Sequence, residues 1–497
     1  MTRASALLVA GASSDAGKSL VTAALCRAFS RRGLSVAPFK AQNMSNNSMV
    51  VCGPDGTTGE IGRAQWVQAL AARATPEVAM NPVLLKPSGD RRSHIVELGR
   101  PAGTIAASEF IGGRAHLAAT AYAAFDDLAA RFELVVCEGA GSAAEINLRA
   151  GDYANMGLAR HADLPTIVIG DIDRGGVFAA LFGTVALLEP DDQRLVAGFV
   201  INKFRGDESL LQPGLDRLAE VTGRRVLGVL PWSPDVWLDS EDALDLVSIR
   251  RAAEGRVSRL RVAVIQLPRI SNFTDIDALS LEPGVDVGWV SDPRALADVD
   301  LIVLPGTRST IADLAWLRER GLDRAIVSHA TAGRPVIGIC GGFQMLGRRI
   351  VDPEGVEGHR GADVEGLGLL DVQATFGHDK VLEVHADGSY EIHHGQMDRT
   401  GTDGWLRDGA FPEGTVAGTM RHGSLESDET RARVLSEAAQ RVDRAWQPSG
   451  ASFAAAREAR LDLLGDLAEK HLDLDALLEL ARHGVASVPL LPPGAGS

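Results

Sequence analysis

Short runs of apolar residues, separated by stretches with helical spacing, recur along this chain and constrain its fold more than any other feature. Within each run the apolar residues are consecutive, whereas a strand with one face in water alternates apolar and polar residues. Consecutive runs with helical stretches between them are typical of parallel strands that are buried on both faces. The first half of the chain is therefore predicted to be an α/β unit with a parallel sheet. Its five runs are Ala6–Ala10, Leu134–Cys137, Thr166–Gly170, Gly198–Ile201 and Val226–Leu230.

A second series of such runs predicts a second α/β unit. It comprises Arg261–Leu267, Leu301–Leu304, Val336–Ile339, Leu367–Thr375 and Val416–Met420. Between the two series the pattern lapses into Trp, Pro and scattered charges. With 497 residues the chain is long enough for several domains of ordinary size. The predicted organisation is a domain at 1–232, a linker at 233–258, a domain at 259–435 and a helical tail at 436–497 whose end, from Val488, is frayed.

Composition and charge disfavour several classes of protein. The chain has 50 basic and 65 acidic side chains, and its net charge of −15 argues against a broad nucleic-acid surface. The four cysteines are far apart and form no metal-finger pattern, so neither structural zinc nor a disulfide framework is expected. The sequence shows no signal-peptide pattern and no run of about 18 apolar residues. A cytoplasmic protein without a membrane partner is expected.

The first predicted strand ends in a loop with the chemistry of a phosphate site. Residues 11–19 read GASSDAGKS, and apolar residues at helical spacing follow. In this context backbone N–H groups and a helix N-terminus hold phosphate, the lysine reaches the outer phosphates and the serine ligates Mg²⁺. Ala12 stands where the usual motif has its first Gly, so the strict spacing fails by one residue. The nucleotide-binding residues expected from the loop are Asp15, Gly17, Lys18 and Ser19.

Two further strand ends contribute candidates to the same site. Residues 132–142 read FELVVCEGAGS, which places Glu138 at the carboxyl end of a predicted strand. In a parallel sheet that end lies beside the phosphate loop, so Glu138 is a candidate magnesium ligand. Asn202 and Lys203 end another predicted strand and are candidates for contacting the nucleotide, although Asn-Lys after a strand is by itself a weak signal.

The second half contains a cysteine in the setting of a catalytic nucleophile. Residues 334–347 read RPVIGICGGFQMLG, in which a buried strand, a Cys flanked by small residues and an apolar helix start follow one another. Small neighbours permit the strained turn of a nucleophile elbow, so Cys340 is predicted to be a nucleophile. Cys26 and Cys137 lack this context and are interpreted as small buried residues.

A nucleophilic cysteine needs a base, and His422 is the best placed downstream histidine because it follows a predicted strand. The other candidates lie in polar or alternating stretches: His378, His385, His393 and His394. A Glu two residues after the His, the usual third member of such a site, is absent because Ser424 stands there. The site is therefore either a dyad, or a different carboxylate, such as Glu391 or Glu426, orients the imidazole.

These stretches and others resemble the cobyric acid synthase family, glutamine-dependent amidotransferases of cobalamin biosynthesis, across nearly the whole chain. The matching stretches are SDAGKS (14–19), AQNMSNNS (41–48), EIGRAQ (60–65), NPVLLKPSGD (81–90), EGAGSAAEINL (138–148), GDIDRGGVFA (170–179), NKFRGD (202–207), PRISNFTD (268–275), LPGTRSTIADL (304–314), GICGGFQMLG (338–347) and YEIHHG (390–395). The first half also looks like dethiobiotin synthetase, whose phosphate loop has the same one-residue displacement. The second half is similar to class I glutamine amidotransferases. The resemblance implies an N-terminal P-loop synthetase domain and a C-terminal glutaminase domain, both α/β.

For the second half, the resemblance implies that Cys340 attacks the amide of L-glutamine, that His422 shuttles protons and that ammonia is released. Backbone N–H groups near Gly306 and Gly341 would hold the oxyanion. The chain departs from the family at Phe343, where Tyr is usual, at His394, where Met is usual, and at 420–425, which read MRHGSL instead of YLHGLF.

For the first half, the resemblance implies that ATP phosphorylates a carboxylate of adenosylcobyrinic acid a,c-diamide and that ammonia converts it to an amide. The family repeats this at the b, d, e and g carboxylates. The implied metal ligands, which would hold Mg²⁺ against the transferring phosphoryl group, are Ser19, Glu138 and Glu60. The resemblance also places Lys40, a candidate nucleotide-binding residue, and Lys86 near phosphate or carboxylate. Together with Lys18 they would form a locally positive cleft on an otherwise acidic protein.

Two other functions stay open at this stage. Cobyrinic acid a,c-diamide synthase shares both domain types but amidates the other two side chains. A partitioning-type ATPase would use nucleotide as a conformational switch, which leaves the setting of Cys340 unexplained. The segment Pro268–Asp275 is either a substrate contact or a structural loop, and the sequence does not indicate an oligomeric state.

Overall fold

The protein divides into two compact units. The computed structural model describes residues 5–88, 92–106, 115–233, 260–398, 411 and 414–492. The first unit comprises Met1–Ser45, Val51–Asp239 and Arg457–Ser497, and the second comprises Asn46–Val50 and Ser240–Ala456. The predicted linker at 233–258 lies outside the described residues, apart from Ser233. Each unit is thus assembled from segments that are distant in the sequence.

The elements of the first half alternate between strands and helices. The strands β1 to β12 are Ser5–Gly11, Val36–Phe39, Gln42–Met44, Ser48–Cys52, Thr58–Gly62, Val83–Ser88, Arg92–Glu97, Arg100–Ala106, Leu134–Glu138, Thr166–Asp171, Val196–Phe204 and Arg225–Pro231. The helices α1 to α7 are Lys18–Arg31, Arg63–Ala71, Ala115–Arg131, Met156–Ala162, Val177–Leu187, Pro190–Gln193 and Gln212–Thr222.

The main sheet of the first unit is parallel, with the strand order β12-β11-β10-β1-β9-β2. Its strands carry consecutive buried residues because each face packs against its own apolar core. Along β1, Leu7 and Val9 belong to one core, whereas Leu8 and Ala10 belong to the other. The predicted parallel α/β unit is confirmed. A mixed sheet of order β3-β6-β7-β8 and a β4-β5 pair complete the strands of the first half that the structure describes.

The second series of strands forms the sheet of the second unit. The strands β13 to β21 are Leu260–Ile265, Val285–Val290, Leu301–Leu304, Val336–Ile339, Arg349–Asp352, Ala362–Glu365, Gln373–Val384, Tyr390–Met397 and Val416–Thr419. The helices α8 to α11 are Thr310–Arg320, Leu322–Thr331, Gly341–Leu346 and Asp428–Arg441, and a 3-10 helix spans Phe273–Leu281. The parallel sheet has the order β14-β13-β15-β16-β21, and the smaller mixed sheet has the order β18-β17-β19-β20. The second predicted α/β unit is likewise confirmed.

One predicted strand begins later than its apolar run. The run Leu367–Thr375 suggested a strand, but β19 starts only at Gln373. The preceding backbone turns back to the end of α10 instead: the N–H of Leu367 donates to the carbonyl of Met345, and the N–H of Leu370 donates to that of Leu346. These carbonyls belong to the last turn of a helix, which has no internal donors for them, so capping takes the place of a strand ladder here.

The predicted tail at 436–497 is not a separate segment. It contains the end of α11 and the helices α12, Phe453–His471, and α13, Leu474–His483. From Arg457 onward it belongs to the first unit, where Leu461 and Leu464 share an apolar core with α1. The buried Arg27 of α1 donates to Glu458 at 2.7 Å, so an ion pair joins the two helices beside that core.

The end of the tail is ordered further than the sequence suggested. Residues 493–497 lie outside the described residues, but Leu491 is buried. Its N–H donates to Gln193 Oε1 at 2.8 Å, and its carbonyl accepts from Gln193 Nε2 at 3.1 Å. Arg224 also donates to the carbonyl of Pro489 at 3.0 Å. These contacts hold residues 489–491 on the first unit. Across the part of the chain that the structure describes, no helix combines the length and apolar character needed to cross a membrane.

Because α12 completes a core of the first unit, Leu464→Ala should lower the free energy of unfolding by about 2–5 kcal/mol through the cavity it leaves. Leu464 is 1% exposed, whereas the control residue Leu210 is 82% exposed, so Leu210→Ala should change stability by no more than about 0.5 kcal/mol. Urea unfolding of the full-length protein, followed by circular dichroism, measures both. Equal unfolding midpoints for the two variants would contradict the assignment of α12 to this core.

Candidate active sites

The phosphate loop of the first unit joins β1 to the first turn of α1. Gly17 precedes α1 with φ +95°, and a Cβ atom there would lie 2.0 Å from Asn202 Nδ2, so only glycine fits. Asp15 also has a positive φ, of +56°. Lys18 is largely buried, and its Nζ donates to the carbonyl of Ser13 at 3.1 Å. The lysine thus folds back over its own loop, beside the backbone that would surround a phosphate.

The two residues predicted to contact the nucleotide brace this loop. Asn202 Nδ2 donates to the carbonyl of Ala16 at 2.9 Å. Lys203 Nζ donates to the carbonyl of Asp15 at 2.8 Å and to Asp171 Oδ2 at 2.9 Å. Both side chains therefore contact the backbone of the loop directly. Asn202 and Lys203 thus lie at the predicted site, where their hydrogen bonds support the backbone of the phosphate loop.

Glu138 ends β9 and collects three donors. Its Oε1 accepts from Ser19 Oγ at 2.8 Å and from Lys40 Nζ at 2.9 Å, and its Oε2 accepts from Gln68 Nε2 at 2.5 Å. Glu138, Lys40 and Gln68 are buried. The predicted residues Ser19, Lys40 and Glu138 thus meet at one carboxylate. Gln68 was missed, because an uncharged residue on a helix of mixed composition gives no sign of its partner.

Glu60 and Lys86 form a second buried ion pair, from β5 to β6. Two of the three lysines expected to make the cleft positive are therefore paired with carboxylates, Lys40 with Glu138 and Lys86 with Glu60. The expectation of a simply positive cleft overlooked this pairing. Burial of a lysine in a folded chain requires a compensating charge or hydrogen bonds, and the sequence did not reveal which carboxylates supply it.

Cys340 of the second unit lies in a strained turn between β16 and α10. Its backbone has φ +50° and ψ −109°, which few non-glycine residues adopt. The turn is tightly packed: a Cβ at Gly342 would lie 2.1 Å from the carbonyl oxygen of Leu304. This is the geometry expected of a nucleophile elbow. Cys26 and Cys137 are buried in apolar cores, and burial raises the pKa of both thiols, in keeping with a packing role.

His422 follows β21 and contacts Cys340 on one side and a carboxylate on the other. Cys340 lies close enough to interact with its side chain, and its Nδ1 lies 2.7 Å from Asp275 Oδ2. The other oxygen of Asp275 accepts from the N–H of Gly423 at 2.7 Å. Burial lowers the pKa of His422, but its interactions with Asp275 and Cys340 outweigh burial and raise the pKa. The arrangement favours an imidazolium beside Cys340.

Asp275 corrects the candidates for the third member of this site. Glu391 instead contacts His385 and His393, at 3.1 and 2.9 Å. The site is not a dyad either, since a carboxylate contacts His422 directly. Asp275 lies in the segment Pro268–Asp275, which the sequence marked as a polar segment after a strand. Its pairing with a histidine so far along the chain left no local signal.

The two glycines predicted to shape the oxyanion site lie against these residues. A Cβ at Gly306 would be 2.9 Å from His422 Cε1, and a Cβ at Gly341 would be 3.1 Å from the backbone nitrogen of Thr307. Because neither glycine has a side chain, the backbone at both positions can lie close to its neighbours next to the elbow. The structure brings together Cys340, His422, Gly306 and Gly341, as the sequence predicted.

A buried polar group lies beside the elbow and was not predicted. Thr310 Oγ1 lies 3.0 Å from Gln344 Oε1 and 3.2 Å from Glu357 Oε1. Burial raises the pKa of Glu357 to about 7. The loop that carries Glu357 is held by Asp352, whose carboxylate accepts four backbone N–H bonds from residues 355–358. A buried carboxyl group that is held in place this way, and whose pKa lies near neutral pH, is suited to bind a cationic ligand.

Two of the family departures, Phe343 and His394, lie outside the hydrogen bonds of the Cys-His-Asp site. Phe343 is fully buried in the apolar core and packs on Gly418, where a Cβ would meet its ring at 1.9 Å. His394 Nδ1 lies 3.2 Å from the carbonyl of Gly377.

Comparison with known proteins matches both units. A family model described as CobQ/CobB/MinD/ParA nucleotide binding domain matches residues 7–246, and one described as CobB/CobQ-like glutamine amidotransferase domain matches residues 261–430. A protein of Mycolicibacterium gilvum (strain PYR-GCK) named Cobyric acid synthase is 66% identical over 498 residues, which cover 98% of this chain and 99% of that protein. Proteins of the same name from Mycobacterium ulcerans (strain Agy99) and Mycobacterium tuberculosis (strain ATCC 25618 / H37Rv) are also 66% identical, over 98% and 99% of this chain and 99% and 100% of theirs.

Asp275→Asn should lower the pKa of His422, because burial then acts without the opposing carboxylate charge. The raised pKa also makes the stability of the protein depend on pH. Protonation of His422 stabilises the folded state below the ordinary histidine pKa, and this contribution is lost as the pH rises through the raised pKa. Nitrogen NMR of the protein labelled at histidine follows the titration. Asp371→Asn, which alters an exposed ion pair with Arg348, should leave it unchanged. Identical His422 titrations in Asp275→Asn and wild type would contradict the pairing.

Proposed function

The chain belongs to the cobyric acid synthase family, and from this membership we propose that it uses ATP and glutamine to amidate carboxylates of a corrinoid acid. One observation carries the proposal: the chain combines a phosphate loop bonded to the buried Glu138 in one unit with a Cys-His-Asp site in the other. A glutaminase supplies ammonia, and a phosphate-loop enzyme can activate a carboxylate to receive it. The expected cytoplasmic location stays a prediction.

In the second unit, Cys340 would attack the carboxamide carbon of glutamine as the thiolate. His422, protonated and oriented by Asp275, would give its proton to the departing nitrogen, so that ammonia leaves and a thioester remains. Water, deprotonated by the then neutral His422, would attack the thioester and release glutamate and the Cys340 thiolate. Backbone N–H groups near Gly306 and Gly341 would hold the oxyanion formed in both attacks.

The polar group beside the elbow supports recognition of the free amino acid. Glu357 is buried and titrates near neutrality, so the α-ammonium of glutamine would favour its ionised form. Thr310 and Gln344, which contact each other, would complete the group that recognises this part of glutamine. The rigid loop built on Asp352 keeps Glu357 in place, which reduces the entropy lost when glutamine binds.

In the first unit, the phosphate loop and Lys18 would hold the phosphates of ATP. The donor set around Glu138 fits Mg²⁺, because Ser19 and Glu138 place a hydroxyl and a carboxylate oxygen 2.8 Å apart at the start of α1. Ser19 and Glu138 would hold the ion, together with Glu60, which the family resemblance implies as a further ligand. When bound, Mg²⁺ supplies neutralisation of the phosphoryl charge. Lys40 would remain beside Glu138 and balance the carboxylate in the absence of the ion.

The proposed substrate is adenosylcobyrinic acid a,c-diamide, amidated at its b, d, e and g carboxylates through acyl phosphates. Phosphorylation turns a poor leaving oxygen into phosphate, which ammonia then displaces to form the amide. Incubation with Mg-ATP, L-glutamine and this diamide, followed by mass spectrometry, counts the amides formed. Amidation of the unamidated acid alone would favour cobyrinic acid a,c-diamide synthase. ATP hydrolysis without any amide product would favour a nucleotide-switch ATPase.

Cys340→Ala should lower glutamine hydrolysis and glutamine-dependent amidation by at least about 1,000-fold, because the nucleophile is lost. Amidation supported by ammonium chloride should persist, because the first unit still activates the carboxylate. Cys52→Ala, at an exposed free cysteine, is the matched control and should retain both activities. Continued release of ammonia from glutamine by Cys340→Ala would refute the role of Cys340.

Lys18→Ala should lower amide formation by at least about 100-fold with either glutamine or ammonium chloride as the nitrogen source. The reason is that the negative charge of the transferring phosphoryl group loses the compensating positive charge of Lys18. Some glutamine hydrolysis should remain. Lys470→Ala, at an exposed position of α12, controls for the loss of a lysine from the same unit. Full retention of amide synthesis by Lys18→Ala would refute the proposed role of the phosphate loop.

A further inference from the structure

A short segment from the first half of the sequence, Asn46–Val50, belongs to the second unit. Hydrogen bonds link it to other residues of that unit. The N–H of Ser48 donates to Asn272 Oδ1 at 2.9 Å, and the N–H of Phe273 donates to Asn47 Oδ1 at 3.3 Å. The hydroxyl of Tyr390 donates to the carbonyl of Ser48 at 2.9 Å. Residues 46–48, 268–275 and 390–395, which come from three stretches that carry the family resemblance, therefore meet within this unit.

Asn272 lies at the start of the turn that carries Asp275. Its backbone is left-handed, with φ +50° and ψ +40°, and its side chain is buried. The carbonyl of Asn272 accepts from the N–H of Asp275 at 3.1 Å. The bond between Asn272 and Ser48 thus anchors the turn from which Asp275 reaches His422.

Tyr390 supports His422 from another direction. The two residues exchange both backbone hydrogen bonds: the N–H of Tyr390 donates at 3.0 Å and the N–H of His422 donates at 2.8 Å. Their rings stack with centroids 5.4 Å apart. Tyr390 is fully buried, and the hydrogen bond to the carbonyl of Ser48 fixes its hydroxyl end.

We propose that Tyr390 and Asn272 are positioning residues of the glutaminase site, and that the segment Asn46–Val50 holds both in register around His422. The proposal rests on the proposed function of Cys340 and His422. The segment touches the support of Asp275 on one side and the stacked ring of Tyr390 on the other. It therefore constrains the imidazole through its carboxylate partner and through its backbone pairing. In this role both residues act through His422.

Loss of these supports should slow the chemical step of glutamine hydrolysis. Proton transfer between His422 and the departing nitrogen depends on distance and direction, and a displacement of about 1 Å can cost about 100-fold in rate. Loss of one supporting hydrogen bond should lower the rate by up to about 10-fold. Binding of glutamine should change little, because the residues proposed to recognise it, Thr310, Gln344 and Glu357, lie on other elements.

Tyr390→Phe and Asn272→Gly test the proposal in the full-length protein. The first removes one hydroxyl and keeps the ring, and the second removes the acceptor of the Ser48 bond and keeps a residue that tolerates the left-handed backbone. We expect kcat for glutamine hydrolysis to fall by about 3- to 10-fold in each variant with KM nearly unchanged. The double variant should lose less than the product of the two effects, because both act on one segment.

Active sites are counted with 6-diazo-5-oxo-L-norleucine, a glutamine analogue that alkylates a nucleophilic cysteine, so that kcat refers to folded protein. Tyr122→Phe, which removes a hydroxyl from the first unit, is the control and should retain wild-type kcat. A loss of stability in Tyr390→Phe and Asn272→Gly with unchanged kcat per titrated site would show a merely structural role and overturn the proposal. If Tyr390→Phe does not fold, Asn272→Gly decides by the same criterion. Wild-type protein without glutaminase activity would instead refute the proposed function.

Discussion

The chemistry of this protein depends on the burial of two parallel sheets. A strand that is covered on both faces uses its backbone groups in the sheet and its side chains in the two cores, so it can present functional groups only where it ends. The phosphate loop follows β1, and Glu138 ends β9. Cys340 follows β16, and His422 follows shortly after β21. Both candidate sites therefore lie at the carboxyl ends of strands, and the cores behind them hold those ends in place.

The second constraint is the cost of a buried charge. His422 is 1% exposed and favours its protonated form, which in an apolar surrounding requires a partner. Asp275 is that partner, and its turn depends on the left-handed backbone of Asn272. The same reasoning applies to Lys40 and Glu138 in the first unit, where each charge compensates the other. Polar segments that resemble ordinary loops in the sequence are thus held in place by the buried charges with which they pair.

Local patterns predicted much of this architecture. The apolar runs predicted both parallel sheets, because a strand buried on both faces leaves that pattern in its own residues. They failed at 367–372, where the same apolar residues cap α10 instead of forming a strand. The composition of α12 predicted a helix but not its partner. Its contacts with Arg27 and the core around α1 join opposite ends of the chain, and no spacing within the helix encodes them.

The sequence by itself determined the phosphate loop, the elbow at Cys340 and the choice of His422, because each follows from a strand, its next residues and the helix or turn after them. Only the tertiary structure decided that Asp275 orients His422, that Gln68 contacts Glu138 and that residues 46–50 belong to the second unit. These pairings join residues far apart in the chain. They form because folding buries polar groups, and each buried polar group needs a partner close to it in space. The spacing of residues along the sequence does not determine which partner that is.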